Sequence, residues 1–198
     1  MPLSAPPPRL FLQRRSIRCE GFLRDDGLID IDAFLEDVRG AETSNEWRGR
    51  LAPGEPLHLM QLRVTLDAQL TIRAIESTTE AAPYPTCPDV VPAMQRLVGV
   101  AIISGFRREL HARIGGTDGC THVRALLEAV GAAALQAFAA QRRHQQGRFT
   151  IRDAEGLDPK RPSMLDSCRG YAADGPVAAR FWPDDPRVRA AHDEEDAE

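Results

Sequence analysis

The sequence predicts an α+β fold in which a mostly antiparallel sheet of two hairpins packs under C-terminal helices. In the first half of the chain, two pairs of segments alternate apolar and polar residues, and a turn signal separates the members of each pair. Two segments with apolar residues at spacings of three and four follow them. Hairpins followed by helices indicate a sheet that buries one of its faces beneath the helices.

The first hairpin is predicted at residues 16–35. Residues 16–23 alternate, Asp25-Asp26-Gly27 is typical of a tight turn, and residues 29–35 alternate again. Cys19 shares the apolar face of the first strand, which favours a structural role for it. Residues 38–56 are polar and rich in glycine, so we expect a loop with a functional or irregular role.

The second hairpin is predicted from strands at 57–66 and 69–77, with a turn around Asp67-Ala68. His58 has the same parity as Met60 and Leu62. Because alternate residues of a strand lie on one face, we expect His58 to point inward with the apolar row.

Two helices should follow a stiff, proline-rich connection at residues 83–88. The first is predicted to be capped by Asp89 and to continue to about residue 114, where Gly115-Gly116 ends it. The second should begin near Thr121 and present a continuous apolar stripe.

The rest of the chain is predicted to carry little regular structure. A short strand is expected at 148–152. The predicted organisation is a disordered arm (1–13), a single α+β domain (14–155), an extended surface-wrapping tail (156–185) and a disordered acidic tail (186–198).

Composition narrows the functional classes. The net charge of −4 gives no basic field to hold nucleic acid, so no nucleic-acid partner is expected. No stretch approaches the roughly 20 apolar residues of a membrane span, and the first residues do not resemble a signal peptide. We therefore expect a cytoplasmic protein that does not contact a membrane, and in that compartment the four widely separated cysteines should stay reduced.

The glycine-rich turn at residues 115–119 is the strongest functional signal. It delivers Cys120 and His122 to the start of a helix, where the helix dipole favours a thiolate. Cys87 also precedes a predicted helix. The two thiols can converge only if the first helix breaks or bends, which Gly99 or Gly105 would permit.

The residues Cys87, Cys120, His58 and His122 together form a candidate metal site. Two cysteines and two histidines are ligand types that suit zinc or iron. The alternative is a buried cysteine beside a hydrogen-bonded histidine. A third possibility is a cysteine nucleophile, but residues two apart at a helix start do not face each other, so we expect Cys120 and His122 to be poorly placed as a pair.

Four motifs carry a resemblance to a bacterial family of unknown function. They are RCEGFLRDDG at 18–27, GEPLHLM at 54–60, PYPTC at 83–87 and GCTH at 119–122. Their order along most of the chain makes the resemblance specific. It implies no activity.

A more distant resemblance is to the NifU/IscU-type iron-sulfur scaffold proteins. In both, a hairpin leads to a cysteine at a helix start, and a later cysteine opens an alanine-rich helix; here these would be Cys87 and Cys120. Pro56 stands where the scaffold's first cysteine would be, and His58 where its aspartate would be. The resemblance implies a related fold with an altered metal site that uses His58.

These observations favour a cytosolic metal-binding or accessory protein. One alternative is a small-molecule enzyme that uses Cys120 as nucleophile or a metal-bound water. Another is a small-ligand or protein-binding module, with the loop at 38–56 and the acidic tail as its surfaces. The residues leave open whether the protein is an enzyme.

Overall fold

The computed structural model of the chain describes residues 3–103, 105–146 and 165–195. It separates into two compact units, Met1–Phe138 and Ala139–Glu198. The predicted boundary at residue 155 lies outside the described residues. The strand predicted at 148–152 lies outside the described residues.

Six strands form in the first unit. They are β1 (Gln13–Leu23), β2 (Ile29–Arg39), β3 (Thr43–Asn45), β4 (Gly49–Leu51), β5 (Pro56–Leu66) and β6 (Ile72–Ala81). The main sheet has the order β1-β2-β5-β6, and every neighbouring pair is antiparallel. The two predicted hairpins are therefore confirmed, joined through β2 and β5. The small pair of β3 and β4 forms within the predicted loop.

Short carboxylate-centred turns fix the register of both hairpins. In the first, the Asp26 carboxylate accepts a hydrogen bond from the Leu28 N–H at 3.2 Å. In the second, Asp67 Oδ1 accepts the N–H groups of Gln69 and Thr71, both at 2.9 Å. A carboxylate that binds backbone N–H groups two and four residues ahead stabilises the turn locally.

The helix predicted at 89–114 is broken, which corrects the expectation of one continuous helix. A 3-10 helix covers Cys87–Leu97, and α1 covers Phe106–Ile114. In the segment between these two helices, Gly99 has a φ of 87° and Gly105 a φ of 91°, a conformation that only glycine adopts readily. The residue before the 3-10 helix is Thr86 rather than the predicted cap Asp89. The second helix, α2 (Thr121–Gln146), begins where the sequence predicts.

The core lies between one face of the sheet and the helices. Alternate residues of β2 and β5, such as Ile31, Leu35 and Val64, are fully buried, and so are Leu126 and Val130 of α2. Two-residue periodicity in the strands and three-to-four-residue periodicity in the helix therefore bury a shared interface. The predicted α+β class is confirmed.

Helix α2 alone, among the described residues, is long and apolar enough by length and composition to cross a membrane, with a mean hydropathy of 1.4 in its most apolar window. The expectation that no segment approaches the length and apolar composition of a membrane span was therefore wrong. The same test is passed by core helices, and α2 places its most apolar stripe in the core, including Val123 and Leu127.

The second unit contains α3 (Pro176–Phe181) and α4 (Pro186–Glu195), where the sequence predicted an extended tail followed by disorder. A proline at the first position of each helix suits the fixed φ of that residue. Four residues of this unit, Leu165, Ala178, Trp182 and Val188, form a buried apolar cluster.

Candidate functional site

Three polar residues lie side by side across the helix-facing side of the sheet. Arg15 of β1 is opposite Asp37 of β2, and Asp37 is opposite His58 of β5. They occupy the row next to the apolar row of Ile17, Leu35 and Met60. Asp37 and His58 are 7% and 8% exposed, so the prediction that His58 points inward is confirmed.

Asp37 is the acceptor at the centre of this row. Its Oδ1 accepts a hydrogen bond from Arg15 Nε at 2.8 Å, and its Oδ2 accepts one from Arg15 Nη2 at 2.7 Å. His58 Nδ1 lies 2.9 Å from Asp37 Oδ2. Burial alone would raise the pKa of Asp37, but the hydrogen bonds and charge of Arg15, together with His58, hold it below its ordinary value. Asp37 is therefore a buried carboxylate that stays ionised.

The start of α2 brings His122 onto His58. The two rings stack with centroids 3.7 Å apart and planes at 29°, and His122 Nε2 lies 3.7 Å from Asp37 Oδ2. Burial lowers the pKa of both histidines, and Asp37 only partly offsets it. The positive charge of Arg15 lowers the pKa of both histidines further. Arg39 adds to this effect at His58, and His58 adds to it at His122. The site thus favours two neutral imidazoles beside one carboxylate.

Cys120 continues the chain of contacts on the far side of His122. Its Sγ lies 3.6 Å from His122 Nδ1. The expectation that these residues do not face each other was wrong, because Cys120 lies just outside the helix. Its carbonyl accepts the first helical hydrogen bond, from the Arg124 N–H at 2.9 Å, which makes it the N-cap residue.

Cys87 and Cys19, the other cysteines of the first unit, have no hydrogen bond or ion pair with this cluster among the described residues. Cys87 begins the 3-10 helix and is half-buried, and none of the hydrogen bonds or ion pairs of the described residues links it to Cys120, His58 or His122. Cys19 packs on the core, and burial raises the pKa of its thiol. The structure therefore brings together three of the four predicted site residues.

Asp37 is the site residue that the sequence reasoning missed. One potential ligand atom from each of Asp37, His58 and His122 lies within 4.8 Å of the others, which makes these residues a possible metal-binding group. A signal for Asp37 existed, since it shares the parity of Ile29, Ile31 and Leu35 in the same strand. The prediction ended that strand at residue 35 and left Asp37 outside it.

The comparisons with known proteins give one match. A family model described as "Protein of unknown function (DUF2889)" matches residues 13–136. The matched segment runs from β1 into α2 and contains Arg15, Asp37, His58, Cys120 and His122. No curated protein and no solved structure matches the chain.

Proposed function

Because the chain belongs to the DUF2889 family of proteins of unknown function, its site must carry the argument, and we propose that the protein binds one divalent transition-metal ion through Asp37, His58 and His122. The observation that carries this proposal is the convergence of three ligand atoms within 4.8 Å of one another. The residues come from β2, β5 and the start of α2, so only the folded chain assembles them.

The spacing of the ligand atoms suits a small ion. Ligands bound at about 2.0–2.2 Å in a tetrahedron lie about 3.3–3.6 Å from one another. The distances from Asp37 Oδ2 to His58 Nδ1 and to His122 Nε2, 2.9 Å and 3.7 Å, lie on either side of that range. One ion could be bound by all three atoms once the stacked rings rotate so that their ring-plane lone pairs converge, with His58 in the tautomer that carries its proton on Nε2.

The protonation states also support metal binding. A metal competes with protons for its ligands, so a site of neutral imidazoles and an ionised carboxylate binds without first losing protons. The lowered pKa values of Asp37, His58 and His122 favour these forms.

Two neighbours would orient the ligands from outside. Arg15 donates hydrogen bonds to both oxygens of Asp37. The Cys120 thiol contacts His122 Nδ1, the ring nitrogen that faces away from Asp37. Partners of this kind fix the orientation of metal ligands in known sites. Compared with the predicted set of Cys87, Cys120, His58 and His122, the proposed ligands add Asp37 and leave out both cysteines. Two histidines and one carboxylate suit zinc or iron(II), and the resemblance to NifU/IscU-type scaffolds stays a prediction.

The test is metal analysis of the full chain, produced without an affinity tag under anaerobic conditions. We expect about one zinc or iron per chain, and its loss in Asp37→Asn, His58→Gln and His122→Gln. His111→Gln is the matched control, because His111 is exposed on α1. Cobalt substitution should give visible bands of a protein-bound ion. A folded protein without stoichiometric metal, and without cobalt bands, would refute the proposal.

A second candidate function rests on the contact between Cys120 and His122. The thiol Sγ of Cys120 lies 3.6 Å from His122 Nδ1, and on the other side of the same ring His122 Nε2 lies 3.7 Å from Asp37 Oδ2. This is the order nucleophile, base and orienting carboxylate. In this function the thiol gives its proton to Nδ1, and the sulfur attacks an acyl carbon. The leaving group departs with that proton, and water then hydrolyses the thioester.

Alkylation by iodoacetamide separates the two functions. A catalytic thiol at Cys120 should react faster at neutral pH than Cys19, whose pKa is raised by burial, and His122→Gln should remove the difference. Equal rates at the two cysteines in metal-free protein would exclude the nucleophile. Fast reaction only after chelation would instead indicate that a bound metal restrains Cys120 and His122.

A further inference from the structure

Strand β1 lies at one edge of the sheet, where no other described strand pairs with its outer side, and we propose that it pairs with β1 of a second copy of this chain. The two strands would run antiparallel around a two-fold axis at Cys19. The sheet would then continue through both copies, as β6-β5-β2-β1-β1-β2-β5-β6.

The two edges of the sheet differ in what covers them. The outer side of β6 is occupied at its start, where Ile72 N–H donates to Val100 O and Gly99 N–H donates to Ile72 O, at 2.9 Å and 2.8 Å. Strand β1 has 11 residues, and ten of them are exposed. It pairs with β2 on one side, and no described strand pairs with it on the other.

The sequence of β1 carries four charged residues, Arg14, Arg15, Arg18 and Glu20, but lacks the other features that protect free edges. It contains no proline and no lysine, and its register with β2 has no bulge. It instead exposes apolar side chains, since Ile17, Phe22 and Leu23 are 40%, 51% and 41% accessible. A long, regular and partly apolar edge is a template for another strand.

Hydrogen-bond directions limit the possible pairings. The Leu12 carbonyl accepts from the Gly40 N–H at 2.9 Å, immediately before the register that pairs Gln13 with Arg39. Even-numbered residues of β1 therefore direct their backbone groups toward β2, and odd-numbered residues direct theirs outward. A second β1 can bind these outward groups only if odd-numbered residues lie opposite odd-numbered residues.

The register centred on Cys19 pairs opposite charges at its centre, while Arg14 and Arg24 lie opposite each other only at its ends. There Arg18 lies opposite Glu20 of the second copy, and Glu20 lies opposite its Arg18, so two cross-strand ion pairs form. Shifting the centre to residue 18 or to residue 20 places Arg18 against Arg18 or Glu20 against Glu20. A centre at residue 17 would instead pair Glu20 with Arg14, and the cross-linking described below separates that register from the one centred on Cys19. Within one chain the Arg18 and Glu20 side chains are 63% and 48% exposed and form an ion pair at 3.8 Å, which pairing between two copies would exchange for contacts across the strands.

Helix α2 adds apolar surface beside the same edge. It packs on β1, since a Cβ at Gly21 would lie 2.7 Å from the Ala137 Cβ. Ala125, Ala129 and Ala133 continue the row of Ala137 at intervals of four and are all half-buried. Only 39% of the apolar window of α2 is buried. A two-fold axis perpendicular to the sheet would place both α2 helices on one face, with these small side chains between them.

Sedimentation equilibrium of the full chain tests this interface. We expect a reversible dimer whose dissociation constant rises roughly tenfold or more in Glu20→Arg, because both cross-strand pairs become repulsive. Arg18→Glu combined with Glu20→Arg should restore most of the affinity. Glu76→Arg, an exposed change on β6, is the matched control. A monomer at every concentration, or a dimer indifferent to Glu20→Arg, would overturn the proposal.

Disulfide cross-linking tests the register independently. In a chain whose other cysteines are serine, mild oxidation should link Cys19 to Cys19 across the axis within the reversible dimer. A chain with Ile17→Cys and Cys19→Ser should cross-link poorly, because residue 17 would lie opposite residue 21. Efficient linkage at residue 17 alone would contradict the pairing centred on Cys19. Circular dichroism of each variant establishes that it is folded.

Discussion

His58 and His122 stack with their ring centroids 3.7 Å apart, although one lies in the sheet and the other begins a helix. Two imidazolium ions this close would repel each other in a partly dry environment. Burial lowers the pKa of both rings, and for His122 the neighbouring His58 lowers it further. The stack is therefore stable while the rings are neutral or bound to a metal.

The first prediction concerns pH. Because the folded-state pKa values of His58 and His122 are lowered, the unfolded chain takes up protons first as pH falls below about 6.5. The free energy of unfolding of the metal-free protein should therefore decrease from neutral pH to below pH 6. The lowered pKa of Asp37 adds a further loss below about pH 3.9. Denaturant titrations of metal-free protein from pH 5 to pH 8 measure the slope.

His122→Gln removes one stacked ring and is the informative variant for this prediction. The slope between pH 5 and pH 7 should become shallower in it, since one of the two groups no longer titrates. His144→Gln, a change at an exposed histidine, should leave the slope as it is. Equal slopes in the two variants would contradict the origin assigned to the pH dependence.

The second prediction concerns Arg15. Its guanidinium binds both oxygens of the buried Asp37, so Arg15→Ala leaves that carboxylate with a single strong donor, His58. Loss of charged hydrogen bonds of this kind costs about 1.5–3 kcal/mol. Arg15→Lys should recover only part of the loss, because an ammonium group cannot bind both oxygens as a planar fork does.

Urea denaturation at neutral pH measures both Arg15 variants. Arg14→Ala is the matched control, since Arg14 contacts the exposed face of the sheet through Glu36 at 3.4 Å and should cost less than about 1 kcal/mol. If Arg15→Ala were no more costly than Arg14→Ala, the bidentate pair would contribute little to stability.

Local patterns predicted the four strands of the main sheet, the inward face of His58 and the start of α2. Alternation and spacing report which residues are buried together, and the hairpin turns carry their own signals. The break between Gly99 and Gly105 could be anticipated only as a possibility, because a glycine permits a positive φ without requiring it.

The site itself depended on pairings that the sequence does not encode locally. Asp37 meets His58 only through the register of β2 with β5, and His122 reaches them only through the packing of α2. Reasoning from residue type favoured cysteines as ligands and passed over the carboxylate. The contact between Cys120 and His122 was missed because rules for helix interiors do not apply to an N-cap residue.

The third prediction concerns the approach of α2 to β1. A methyl group at Gly21 would lie 2.7 Å from the Ala137 Cβ and 3.3 Å from Ile31 Cδ1. Gly21→Ala should therefore destabilise the protein by about 1–3 kcal/mol through overpacking. The double variant with Ala137→Gly removes the clash, so the two changes should be less costly together than their sum. Simple additivity in thermal unfolding would show that the helix does not contact the strand there.

The last prediction concerns metal removal. A metal that binds only the folded site stabilises it according to its free concentration, by about 2.7 kcal/mol at one hundred times its dissociation constant. Chelation should therefore lower the unfolding temperature of the wild-type chain and leave that of His58→Gln nearly unchanged. Histidines and cysteines of the unfolded chain also bind metal, which reduces the measured effect. A drop of equal size in both proteins would place the stabilising metal elsewhere than at Asp37, His58 and His122.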